Sequence, residues 1–501
     1  MSIRKVTAVV SVTVAALGLA APADAAAPPR TWAPCTQLAA SWPKEAGTAA
    51  ECTTVTVPVD YSRPDGRAIE LAVDRIPASD QAHRRGVLVL NPGGPGGTGM
   101  SMPELIRTSR LGELAKYYDL VGFDPRGTGY SGQVDCQALG GAPEPRPGES
   151  EKDQWLDQVR WRATKYTGCA EKDPEFAGSL GAVTIARDLD RIREALGERK
   201  INYFGVSWGT ALGATYRSLF DEHVDKMAID SVLPPDLDLD RFDQVETRAH
   251  DENLHRFAGW MASRDAVLHL GKTADQVVAT ELAMFSELKA HPRQIVQNGV
   301  PLTLDDTWVF NQAGSTSPRW GTAASALAAV HAGKDPAPSA QAQAQEPAAG
   351  AFGWDEKRPY ALNRYVQHAV NCADSTSSRD LDQVWSDYTV TDARYPLSAG
   401  GQPGYSGSCV DWPYSGKYID YRPGHSPLQL IAHRYESVTP YQGALEMRQR
   451  IGGSVLTVGD DVHGSLANLP CASKLVRFFG TGVPVTDSCD GAPSPEPQPV
   501  P

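Results

Sequence analysis

The 501-residue chain has no run of Lys and Arg dense enough to make a basic patch, and its formal net charge is -13. Such a surface repels phosphate backbones and anionic lipid, which argues against nucleic acid as a partner. There is no CxxC pair and no HExxH, so neither common zinc signature is present, and no metal or other cofactor is expected. Beyond residue 21, no stretch supplies the roughly 18 consecutive apolar residues that a membrane-spanning helix needs. The glycine-rich stretch "NPGGPGG" lacks the Lys-Ser/Thr ending of a phosphate-binding loop, and Pro95 removes one of its donors.

What is present fits a globular, exported protein. A hydrophobic fraction of 41% over this length suits one large domain with an elaboration. Arg4 and Lys5, the apolar stretch Val6 to Ala21 and the small-x-small site Ala23-Asp24-Ala25 read as an export signal, so residues 1–25 are expected to be removed. Cys35 follows Trp32-Ala33-Pro34, unlike a lipid-attachment site, so a soluble secreted product is favoured, with no membrane contact after cleavage. The eight cysteines form an even set, as expected for an oxidising compartment. The simplest pairing joins Cys35 to Cys52, Cys136 to Cys169, Cys372 to Cys409 and Cys471 to Cys489, out of about 105 connectivities.

Hydrophobic periodicity gives the architecture. "CTTVTVPVDYSRPDGRAIELAVDR" alternates apolar and polar residues around a Pro-Asp-Gly turn, which predicts a hairpin. "GVLVLN", "YDLVGF", "INYFGV" and "KMAID" are short continuous apolar runs, the pattern of parallel strands buried on both faces. Between them, "TIARDLDRIREALG" places Ile185, Leu189, Ile192 and Leu196 on one helical stripe and stops at Gly197. Strands alternating with helices make an α/β sheet, mostly parallel, with right-handed crossovers. The alternation lapses over residues 235–424, a mainly helical insertion that carries the low-complexity loop "PAPSAQAQAQEPAAGAFG". It resumes over 425–490 with "LQLIAHRY", "SVLTVG" and "LVRFFGTG", and the proline-rich residues 491–501 are expected to be disordered.

Gly205-Val206-Ser207-Trp208-Gly209 matches G-x-S-x-G, in which two glycines clear room for a strained turn that projects the serine from the sheet. It is the one match in the chain, and it lies between a strand pattern and a helix pattern, as that turn requires. The N–H groups of Trp208 and Gly94 are the candidate oxyanion donors. The base belongs in a loop after a late strand, where His463 in "LTVGDDVHGS" stands. The acid falls between them in chain order: Glu436 follows the strand "LQLIAH", ahead of a helix start with Thr439 as N-cap, Pro440 at N1 and Gln442 in a capping box. Asp230, at the end of "KMAID", is the alternative acid, and Asp460 and Asp461 read as polar loop residues.

In order along the chain, "CTTVTVPVDY", "NPGGPGG", "GFDPRGTGYSG", "NYFGVSWGTALG", "HAVNCAD", "VTPYQGA" and "HGS" resemble the secreted tripeptidyl aminopeptidases of the α/β-hydrolase superfamily, relatives of proline iminopeptidases. The resemblance implies an α/β-hydrolase fold with residues 26–234 and 425–490 as its core and 235–424 as a cap. It implies Ser207 as nucleophile, His463 as base and Glu436 as acid, although the family usually has aspartate at that last position. It further implies release of short peptides from substrates with a free N-terminus, with acidic cap residues, Asp374 the candidate, holding the α-amino group. A carboxylesterase or proline iminopeptidase using the same triad is the alternative activity, and a catalytically inactive binding protein is a further one that an intact triad disfavours.

Overall fold

In a computed structural model of the chain, the described residues are 31–35, 50–100, 102–132, 136, 143, 146–338, 362–399, 404–414 and 419–498. The expected export signal, residues 1–25, and most of the low-complexity loop lie outside them. In chain order the strands are β1 (Ala33–Pro34), β2 (Glu51–Pro58), β3 (Ala68–Ile76), β4 (Val87–Asn91), β5 (Asp119–Phe123), β6 (Ile201–Val206), β7 (Val224–Asp230), β8 (Arg293–Gln297), β9 (Val300–Leu304), β10 (Leu428–His433), β11 (Ser454–Gly459) and β12 (Ser488–Asp490). All but β8 and β9 join one sheet in the order β1-β2-β3-β5-β4-β6-β7-β10-β11-β12. The expected hairpin is β2–β3, antiparallel with Glu51 opposite Arg75 and Pro58 opposite Ala68. From β5 to β12 every neighbouring pair is parallel.

Period-two geometry divides the apolar runs between two faces. Val87 and Val89 of β4 pack into the core that holds Ile185, Leu189 and Ile192 of the helix Ala182–Ala195, while Leu88 and Leu90 pack into the opposite core with Phe478 and Phe479 of the helix Ala472–Thr481. Helices thus cover both faces, and the functional loops leave the carboxyl ends of the central parallel strands. The four disulfides are Cys35–Cys52, Cys136–Cys169, Cys372–Cys409 and Cys471–Cys489, the pairing expected from sequence.

The chain between β7 and β10 supplies further helices, among them Leu239–Ala262, Ala274–Ala290, Asp306–Ala313 and Trp320–His331, which bury a core of their own around Phe257, Met261 and Trp320. One departure from the helical expectation is the β8–β9 hairpin. Asn298 and Gly299 sit at its turn with φ of 52° and 80°, the left-handed pair of a tight hairpin turn, so the Asn-Gly signal outweighed the helical rhythm around it. Residues 491–498 form no helix or strand, yet they are not loose: Arg264 pairs with Glu496 at 2.6 Å, and Gln498 N–H donates to Ser325 Oγ at 2.8 Å. Among the described residues, no helix is long and apolar enough to cross a membrane.

Among the described residues of the helical insertion, one buried carboxyl has no hydrogen-bond partner. Glu281 is 0% exposed on the helix Ala274–Ala290, and neither carboxyl oxygen finds a hydrogen bond. Burial pushes it up to about 8. The folded protein therefore holds a proton there that the unfolded chain releases near pH 4.5, and stability drains away as pH rises from that value to about 8. Glu281→Met should raise the melting temperature by roughly 2–4 °C at pH 8 and by little at pH 4.5, read in paired thermal melts. Equal shifts at both pH values would contradict a buried neutral carboxyl.

Candidate active site

Ser207 links β6 to the helix Trp208–Phe220 with φ 60° and ψ -129°, a strained conformation for a residue with a side chain and one that costs about 1–3 kcal/mol. Close packing imposes it. A Cβ at Gly205 would stand 2.4 Å from Gly209 O, and one at Gly209 2.8 Å from Asn91 O, so the turn closes only with glycine at both ends. Ser207 N–H donates to Asp230 O at 2.9 Å, which ties the turn to the end of β7.

The glycine-rich loop after β4 lies against this turn. Gly93 N–H donates to Asn91 Oδ1 at 3.0 Å, and a Cβ at Gly93 would come within 2.4 Å of Val206 O and 2.9 Å of Trp208 N. Trp208 opens its helix, so its N–H lacks an intrahelical partner. Ser207, Trp208 and Gly94 share a pocket with Leu233, Phe242 and Tyr405. The insertion is joined directly to this loop and to the turn after β5: Asn363 N–H donates to Gly96 O and Asn363 Nδ2 to Gly127 O, both at 2.9 Å.

Glu436 is buried in the turn after β10, where it gathers donors from three segments. His463 Nδ1 bonds its Oε1, Thr439 Oγ1 donates to the same oxygen at 2.7 Å, and Ser231 Oγ donates to Oε2 at 2.9 Å. Ser231, itself at φ 55°, accepts from Gly464 N–H at 2.8 Å, so one hydroxyl serves both the acid and the loop of His463. That loop packs onto the serine turn: a Cβ at Gly464 would lie 2.8 Å from Val206 Cγ1. The expected capping box is not formed. The helix begins at Tyr441, and Thr439 turns its hydroxyl to the buried carboxylate, which outcompetes the helix end for it.

Asp230 is not joined to His463. Its Oδ1 lies 2.9 Å from His433 Nε2, and the other nitrogen of that ring lies 2.5 Å from Asp460. Asp460 and Asp461 are more than polar loop residues, for both are buried and bonded: Ser317 of the insertion donates to Asp461 through N–H at 2.9 Å and through Oγ at 2.7 Å. Arg256 adds a second tie, with its guanidinium 3.5 Å from the ring centre of Tyr435 and 3.7 Å from Asp461.

A family model described as the alpha/beta hydrolase fold matches residues 86–466, and a tripeptidyl aminopeptidase of Streptomyces lividans is 34% identical over 477 residues, 90% of this chain and 85% of that protein. The chain belongs to the α/β-hydrolase family. Within it, the chain stands with serine peptidases. Serine protease Hip1 of Mycobacterium tuberculosis is 26% identical over 453 residues, covering 87% of this chain and 85% of that one. A protein of the same organism named carboxylesterase B is 27% identical over 502 residues, covering 93% and 91%.

In this hydrolase Asp374 stands apart from the pocket. Both its oxygens accept from Ala182 N–H, at 2.9 and 3.2 Å, capping the helix Ala182–Ala195, and burial raises its carboxyl to about 7. A different acid, not found from the sequence, lies on a helix that lines the pocket, and itself faces a neighbouring cavity with Asp243 and His250. Leu239, Phe242 and Glu246 fall at i, i+3 and i+7 on the helix Leu239–Ala262, and the first two line the pocket of Ser207. Glu246 is half-buried and pushed up to about 8, by burial first and then by the charges of Asp243 and Glu436. Asp243 is already engaged by the N–H groups of Tyr405 and Ser406 at 2.9 and 2.6 Å. The helical period carried a signal for Glu246, but only once Phe242 was known to face the serine.

Ser231→Ala removes one charge-assisted hydrogen bond from Glu436 and the acceptor of Gly464 N–H, a loss of about 1.5–3 kcal/mol in the ordering of these two loops. Turnover of 4-nitrophenyl acetate should fall at least about tenfold with circular dichroism unchanged. Full turnover would show that the acid and the histidine loop hold their places without that hydroxyl.

Proposed function

We propose that this hydrolase is a secreted serine exopeptidase that releases short peptides from the free N-terminus of oligopeptides or proteins through an acyl-enzyme. The observation that carries the reading is the buried Glu436 carboxylate bonded to His463, in a loop packed on the strained turn of Ser207. His463 would take the Ser207 hydroxyl proton as the oxygen attacks the scissile carbonyl, while Glu436 holds the ring's orientation and stabilises its positive charge. The amides of Trp208 and Gly94 would receive the developing oxyanion. His463 would then protonate the departing amine, and a water activated by the same ring would free the short peptide.

Residues 235–424 act in this reading as the cap, closing the pocket to long N-terminal extensions. Glu246 takes the part expected of Asp374 and receives the α-amino group. The four disulfides and the N-terminal export pattern support secretion. The apolar lining at Leu233, Leu237 and Phe242 also suits a small lipophilic ester, so a carboxylesterase remains the second reading.

Products from a ladder of unblocked peptides, analysed by mass spectrometry, should be short N-terminal fragments, and Ser207→Ala should yield none. Glu436→Gln should lower kcat by roughly three to four orders of magnitude. N-acetylation should cut kcat/KM roughly 10- to 100-fold, and equal turnover of blocked and free peptides would favour the esterase.

The amine site has its own pH signature. A peptide α-amino group titrates near 7.7–8.0, close to the value of about 8 for Glu246. At lower pH Glu246 must lose a proton for the ions to pair, and at higher pH the amine must gain one. KM for an unblocked peptide should therefore be lowest near pH 8 and rise on either side, and Glu246→Gln should flatten the curve. An unchanged curve in that variant would place the amine elsewhere.

A further inference from the structure

His433, the last residue of β10, has no exposed surface, and both of its ring nitrogens face carboxylates: Nε2 lies 2.9 Å from Asp230 Oδ1 and Nδ1 lies 2.5 Å from Asp460 Oδ1. Two ionised carboxylates accept and cannot donate, and opposite such a pair each ring nitrogen carries a proton and the imidazole is a cation. Ser465 Oγ donates to the second oxygen of Asp460 at 2.7 Å. The titratable groups facing His433 are Asp230 at the end of β7, Asp460 after β11 and Glu436 in the turn after β10. Burial disfavours the charged ring, but these three acids outweigh it and raise it to about 10.

A buried cluster of charges is a costly way to join three strands, because apolar side chains of similar volume hold them together as well or better. What the charges add is direction, and here each lies next to a piece of the site. Asp230 O accepts Ser207 N–H, and its neighbour Ser231 bonds both Glu436 and Gly464. Asp460 O accepts the N–H of Tyr435, the residue before Glu436, at 2.9 Å. His433 stands three residues before Glu436, as Asp460 stands three before His463.

We propose that His433 is a positioning residue, a fixed imidazolium bridge between Asp230 and Asp460 that sets the serine turn, the acid turn and the histidine loop in one register. The inference rests on the reading of Ser207, His463 and Glu436 as the triad. It differs from a role in stability alone because the bridge orients the reacting groups while none of its three residues lines the pocket. Its loss should therefore lower kcat and spare KM.

Two measurements on the full chain test it. In histidine-labelled native enzyme at about pH 8.5, nitrogen NMR should show one imidazole with both nitrogens protonated, while an ordinary histidine is neutral there. The same signal should persist in Ser207→Ala and in His463→Ala. A spectrum with only neutral rings would overturn the proposal. In His433→Gln, kcat on an unblocked peptide should fall at least tenfold with KM changed less than about twofold, and the far-downfield proton of His463 Nδ1–H, bonded to Glu436, should be lost. Where that variant does not fold, Asp460→Asn keeps the volume and one acceptor and should show the same split to a smaller degree. A folded variant with native kcat and an intact downfield proton, or one in which KM alone rises, would sink the positioning role. Full activity in Ser207→Ala would sink the triad reading instead, without bearing on the charge of His433.

Discussion

A carboxylate taken out of water has to be given donors, and much of the organisation at the carboxyl end of the sheet follows from supplying them to Glu436. The donors come from the loop after β11, from the residue that follows β7 and from its own turn. These segments are far apart in sequence, with Ser231 and Glu436 separated by 205 residues. They meet because β7, β10 and β11 are adjacent parallel strands that end at one edge. The parallel sheet thus delivers loop ends to a common place, and the buried charge selects how those ends pack.

The insertion is fastened to the same edge. Asn363 binds the glycine loop, Ser317 binds Asp461, and Arg256 lies over Tyr435. Each tie lands within two residues of a group that the proposed chemistry uses, or in the loop that carries an oxyanion donor. Some helices of the insertion bury an apolar core of their own, while Leu239, Val366, Ala369 and Trp412 of the insertion pack into the core that holds the sheet.

Local features were readable in the sequence. The apolar runs, the hairpin at Pro-Asp-Gly and the stop at Gly197, where φ is 72°, each depend on residues within a few positions of one another. Chain order, together with the place of Glu436 between a strand and a helix, anticipated that His463 and Glu436 meet. The sequence was misleading where an alternative partner lay far along the chain. Thr439 has every local mark of a helix cap, and only the burial of Glu436 beside it turns its hydroxyl elsewhere. Asp374 was expected near the substrate and instead caps a helix that begins 192 residues earlier. The pairing of His433 with Asp230 spans 203 residues and leaves no periodic trace. Asn298-Gly299 was legible, but the helical rhythm on both sides hid it.

The disulfides have a further consequence. Each cysteine bonds the next one along the chain, first with second and third with fourth, closing loops of 17, 33, 37 and 18 residues. No bridge crosses another, and none has to wait for a distant thiol. A polypeptide that enters an oxidising space in sequence order meets the correct partner for every thiol before any wrong one appears. The native set of bonds is then also the set that arrival order alone would produce.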